Sequence, residues 1–182
     1  FSATALGQSK YVIPCNSALF VASMDTLRAL VGTIEETNNN DGTIIFRLQD
    51  CIGIPRKQPY CQATQYYSFY VSAKNLKMDT KNLPIPRNGL AQSSYNYAKQ
   101  KGVKAPYNAE FGDLIVWKKG NTTKGHIGRI VEVGKMGWVI TIEGNTTNDT
   151  TKKEGIFYKK RNIKNPLNRI LQVKGIVGFA IK

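Results

Sequence analysis

Residues 112–144 read GDLIVWKKGNTTKGHIGRIVEVGKMGWVITIEG, and this stretch decides the fold. It holds three short runs of β-branched and aromatic residues, LIVWKK, HIGRIVEV and WVITIEG, separated by clusters of Gly, Asn, Thr and Lys. Runs of this length with turn residues between them predict strands joined by tight turns. The same texture continues in GIFYKKR (155–161) and KGIVGFAIK (174–182), so about five to six strands follow one another.

Working outward, the chain upstream has the period of helices. From Ser17 the residues Leu19, Phe20, Met24, Leu27, Leu30, Val31 and Ile34 recur at helical spacing, with Asn16 or Ser17 able to cap the first turn. TNNNDG (37–42) ends that helix, a shorter apolar pattern follows in 43–54, and PRKQP (55–59) breaks the chain before YCQATQYYSFYVSAKNL (60–76), a further helix. LAQSSYNYAKQKG (90–102) predicts a short helix closed by Gly102. Helices first and consecutive strands after them define an α+β fold, with N-terminal helices packed on a C-terminal antiparallel sheet. Residues 1–16 are polar and irregular and are expected to form an N-terminal extension. Residues 17–182 show neither an internal repeat nor a dividing linker and are expected to be a single domain. The chain opens on Phe rather than Met, so a processed or trimmed N-terminus is expected.

The charge balance is strongly basic: 26 Lys plus Arg against 12 Asp plus Glu, a formal +14. Such a chain favours polyanionic partners, either nucleic acid or the phosphate- and carboxylate-rich polymers of a bacterial envelope. Its basic residues are scattered and most read as solvated surface. No zinc-finger spacing or RNA-recognition signature is present, so no specific nucleic-acid partner is expected. No apolar run is long enough for a transmembrane segment.

Three cysteines, Cys15, Cys51 and Cys61, leave at least one free thiol; in an exported protein Cys15–Cys51 is the candidate pair. One histidine with three dispersed cysteines is a poor metal set, and neither a metal nor a cofactor is expected. The lone His126 follows a turn at the start of a strand, and Glu143 ends the next strand, with Asn145 just beyond. A hairpin turn centred near 134–135 would set His126 opposite Glu143 as cross-strand neighbours, the arrangement that orients an imidazole. Cys61 opens a helix, where unpaired N–H groups and partial positive charge favour a thiolate and an oxyanion. A cysteine, then a histidine on one strand and a carboxylate on the next, form the constellation of a thiol hydrolase.

PYCQATQYYSFY (59–70), FGDLIVWKKGNTTKGHIGRIVEV (111–133), WVITIEGNT (138–146) and VKGIVGFAIK (173–182) together resemble the blocks of CHAP domains, the cysteine/histidine-dependent amidohydrolase/peptidase group within the NlpC-like, papain-like peptidoglycan hydrolases. The resemblance implies a papain-like CHAP fold with Cys61 as nucleophile, His126 as general base, Glu143 as the imidazole-orienting residue and Asn145 in support. The oxyanion would be held by the Cys61 N–H and a neighbour, Gln58 or Tyr60. Asp113 matches a Gly-Asp pair and is read as a turn device. Two positions depart: Phe111 stands where Pro commonly precedes Gly-Asp, and Arg129 interrupts a strand that is usually apolar, leaving it solvated, acid-paired or facing a partner. The implied activity is cleavage of an amide of the cell-wall peptide, as amidase or endopeptidase, by a protein exported to the periplasm or cell wall, or phage-associated. Its partners would be peptidoglycan and anionic envelope polymers. Rival readings are the same hydrolase used as an antibacterial toxin with an immunity or inhibitor protein, and a non-catalytic envelope-binding module.

Overall fold

The computed structural model describes residues 8–167 and 170–182; residues 1–7 of the expected extension lie outside the described residues. Strand β1 (Ser9–Cys15) is followed by helices α1 (Ser17–Ala29), α2 (Thr43–Ile52), α3 (Cys61–Asn75) and α4 (Ala91–Lys101). Then come β2 (Val103–Ala105), β3 (Leu114–Lys119), β4 (Gly125–Val133), β5 (Trp138–Thr147), β6 (Glu154–Asn162) and β7 (Leu171–Ile181). Asn16 caps α1, its carboxamide oxygen accepting the Leu19 N–H at 3.1 Å.

The fold is α+β, and among the described residues its sheet has seven strands in the order β2-β1-β7-β3-β4-β5-β6 rather than the expected five to six. The two additional strands come from segments with weak strand signals. β2 has only three residues. β1 carries Pro14, which cannot donate to a ladder; β2 covers only Lys10–Val12, so Pro14 sits past the end of that pairing. β1 runs parallel to β7, and the sheet is therefore mixed rather than purely antiparallel. Lys10 of β1 is buried and donates to Asp113 at 2.8 Å and Glu110 at 2.7 Å, so these residues of the expected extension are tied into the sheet.

α3 lies centrally, against β4 and β5 and between α1 and α2, while α4 covers β3, β7 and β1. The principal core joins these helices to one sheet face through Leu27, Leu48, Phe69, Leu114, Ile127 and Ile142. The opposite face carries a second cluster built on Ile115, Trp117, Ile130 and Ile176. Arg129 lies on the helix-facing side of β4 and is wholly buried. Its Nε donates to the Gly112 carbonyl and its Nη1 to Ser23 Oγ, each at 3.0 Å. The rings of Phe69, Phe20 and Phe179 surround its guanidinium at 4.4, 5.2 and 5.2 Å. Asp113 accepts the Glu110 N–H at 2.9 Å and closes the turn into β3, in which Gly112 takes a φ of 86°. Among the described residues no helix is long and apolar enough to cross a membrane.

Candidate active site

Cys61 is the first residue of α3, and Tyr60 before it provides no side-chain cap. The first-turn N–H groups are therefore not consumed by a capping side chain, and the positive end of the helix dipole lies at the thiol. Two contacts fix α3 along the sheet. Gln65 Nε2 donates to the Ile142 carbonyl at 3.2 Å. Thr64 approaches Gly144 so closely that a Cβ there would lie 2.0 Å from Thr64 Oγ1. One turn earlier, Cys61 reaches the end of the sheet where β4 begins with Gly125 and His126.

His126 lies within electrostatic reach of the Cys61 side chain and hydrogen-bonds Glu143. Its Nε2 lies 2.8 Å from Glu143 Oε2. The ring packs beside Trp117, its partner across β3–β4, at a centroid distance of 5.7 Å. Sequence order thus brings together three of the anticipated residues, but not in the anticipated register. Arg129 pairs with Ile142, so one step further along the ladder Gly128, not His126, faces Glu143. The hairpin connection spans 134–137 and is centred later than expected, and β4 carries a bulge between Ile130 and Glu132. Glu143 therefore reaches His126 diagonally, across the bare backbone of Gly128.

Both oxygens of the fully buried Glu143 are occupied. Oε1 accepts from Thr141 Oγ1 at 2.6 Å and Arg161 Nε at 2.8 Å. Oε2 receives Arg161 Nη2 at 2.7 Å beside the imidazole. Burial by itself would raise this carboxyl, but the His126 charge, the hydrogen bonds and Arg161 outweigh it and hold its pKa down to about 2. Burial likewise disfavours a charged imidazole, yet Glu143 and the neighbouring Cys61 raise the His126 pKa to about 10. All three cysteines are free, so the candidate Cys15–Cys51 pair is not formed. Burial pushes both of those thiols up to about 11.

The remaining expected residues are placed as follows. Asn145, at a φ of 55°, donates through Nδ2 to Asn40 Oδ1 at 2.7 Å rather than to the imidazole. The Tyr60 hydroxyl donates to Glu35 at 2.8 Å. Gln58 is exposed; its carbonyl accepts from Gln49 Nε2 at 2.7 Å. A cleft of ≈ 720 Å³ opens at Cys61, lined by the apolar Pro55, Pro59 and Leu90 and the polar Gln58, Lys124 and Asn145. Among the described residues no aromatic side chain lines it. Arg161 and Thr141 went unseen in the sequence. Period-2 alternation along GIFYKKRN, set against Glu143, was the one signal that could have singled out Arg161 from its basic run.

The site combines a thiol at a helix start with a histidine near the start of a strand, and comparison with known proteins gives the family. The CHAP domain model matches residues 54–145, half of the 182-residue chain, and the chain belongs to the CHAP-domain family. Membership marks it as a hydrolase of the kind directed at peptidoglycan-type substrates. Comparisons with curated proteins and with solved structures gave no significant match.

Proposed function

We propose that the protein is a cysteine peptidase or amidase of papain-like descent that cleaves an amide of the cell-wall peptide, with Cys61 as nucleophile, His126 as general base and acid, and Glu143 as the residue that orients the imidazole. The observation that carries this is an imidazole hydrogen-bonded to a buried, ionised Glu143 and close to Cys61, which itself lines a cleft. His126 accepts the thiol proton, and the thiolate adds to the substrate carbonyl carbon. The resulting oxyanion lies at the N-terminus of α3, where the Cys61 N–H is the first donor. Gln58 is the second donor through its exposed side chain; the Tyr60 hydroxyl is committed to Glu35, which leaves that residue only its main chain. The tetrahedral intermediate collapses as His126 protonates the leaving amine, giving a thioester on Cys61. Water, deprotonated by His126, then releases the acid and restores the thiol. Asn145 supports the cleft wall through Asn40 and is not in line for proton transfer.

The proposal places the enzyme in the periplasm, the cell wall or on a phage particle, where its basic surface meets anionic envelope polymers. Digestion of purified peptidoglycan followed by mass spectrometry of released fragments tests it. Fragments carrying one new amine and one new carboxyl support the reaction, and their masses distinguish a lactyl–L-Ala amidase from an endopeptidase. Absence of fragments across several wall chemotypes contradicts it.

A further inference from the structure

We propose that Arg161 is a positioning residue of this site, one that locks the Glu143 carboxylate in place and offsets part of its negative charge as felt by His126; this rests on the roles given above to Cys61, His126 and Glu143. A carboxylate offers about four acceptor positions. On Glu143 they are filled by His126 Nε2, Thr141 Oγ1 and two nitrogens of one guanidinium. The paired, parallel contacts at 2.8 and 2.7 Å are the fork-to-carboxylate geometry that only arginine supplies. Glu143 is wholly buried and the Arg161 side chain is 16 % exposed, so water screens the pair little.

Three consecutive basic residues of β6 have three separate tasks. Lys159 donates to the Thr147 carbonyl at 2.9 Å and pairs with Asp149. Lys160 lies over the Trp138 ring at 5.1 Å. Arg161, opposite Val139 in the ladder, reaches back along the sheet to Glu143. His126 and Arg161 share one oxygen, Oε2, at 2.8 and 2.7 Å. A general base in acyl transfer must also give its proton back to the leaving amine. A bare, buried carboxylate against the imidazole would hold that proton tightly; a permanent cation on the far side of the same carboxylate loosens the hold. The other groups around His126 are the Cys61 thiol from α3, Lys124 in the turn before β4, and the uncharged Trp117 of β3 and Gln92 of α4. Asp149 also feels the Arg161 charge, but is paired with Lys159.

The chain's one histidine gives a single imidazole signal in an NMR titration, readable without turnover. In a Cys61→Ala background, which removes the thiol's share, Arg161→Gln is expected to move the His126 titration upward by about one pH unit. In the Cys61-intact enzyme, kcat/KM should fall about tenfold or more, with the alkaline limb of its profile displaced in the same direction. Arg161→Lys keeps a charge without the fork and should leave the titration near that of wild type while lowering kcat. An unmoved His126 titration in folded Arg161→Gln would overturn the inference, as would Arg161→Lys matching wild type in rate. If Arg161→Gln does not fold, Arg161→Lys alone decides on those terms. Failure of the functional proposal is distinguishable: wild type would then cleave no wall substrate, whatever the titration shows.

Discussion

A methyl group on Gly128 would lie 2.7 Å from Glu143 Cγ and 3.1 Å from Thr141 Cβ, so the absence of a side chain there is what lets Glu143 cross β4 to reach His126. The same geometry governs how the two charged groups share stability. The His126 pKa is raised, so its contribution is complete below its ordinary value near 6.5 and is lost as pH rises toward about 10. That of Glu143 is lowered, so its contribution is complete above the ordinary carboxyl value and is lost as pH falls toward about 2. Glu143→Gln keeps the shape and removes the charge. Its His126 titration should drop well below about 10, since burial is then opposed only by Cys61. Its thermal midpoint should be lower than that of wild type at pH 7 and lose less between pH 7 and 10. NMR titration and melting curves check both, and an unshifted histidine would refute the coupling. The residue scale is also where the sequence was most and least legible. His126, Glu143 and Cys61 stood out by type and order, since a lone histidine has no competitors. Arg161 did not, because in a run of YKKRNIK nothing local separates a buried fork from a solvated lysine. Asn145 was seen, but its partner Asn40 lies more than a hundred residues upstream.

Between elements, the decisive contact is α3 on β5. Gly144 is packed against Thr64, whose hydroxyl also donates to the Tyr60 carbonyl at 3.0 Å, so Thr64 has little freedom to yield. Gly144→Ala should push α3 away from the sheet, separating Cys61 from His126. We expect a loss in kcat on the order of 10²-fold with KM altered far less, as small displacements of reacting groups cost that much. Thr64→Ala in the same chain should recover part of it, which steady-state kinetics on a soluble substrate would read directly. At this scale α1, α3, α4 and five strands were legible because each repeats its hydrophobic period over several residues. By contrast, α2 was read only as an apolar pattern, and α1 ends at Ala29, short of the expected stop at TNNNDG. β1 and β2 were not: the first is a parallel strand interrupted by Pro14 whose lysine is buried by a distant aspartate, and the second has three residues. The hairpin register was misjudged because a bulge leaves no mark in composition. Arg129 was noticed as an intruder in an apolar strand, but the cage of phenylalanines that accepts it comes from α1, α3 and β7.

For the molecule as a whole, a formal charge of +14 sits on a protein whose proposed substrate is an anionic polymer. Contacts among exposed charges weaken as the screening length shortens, from roughly 10 Å at 0.1 M salt to about 3 Å at 1 M. Binding of the Cys61→Ala protein to insoluble wall should therefore decline as salt is raised, while wild-type cleavage of small soluble fragments should hold; pelleting assays and fragment kinetics separate the two. Salt-independent wall binding would contradict this use of the charge. The cleft itself is lined by both apolar residues, Pro55, Pro59 and Leu90, and polar ones, Gln58, Lys124 and Asn145. The central claim is that Cys61 performs the chemistry, and one comparison tests it most directly: turnover of a soluble wall-peptide fragment by wild type and by Cys61→Ala of equal fold, as judged by their near-ultraviolet circular dichroism. The account predicts cleavage by wild type and a loss of about 10³-fold or more in the variant; a Cys61→Ala protein that retains its rate would contradict it.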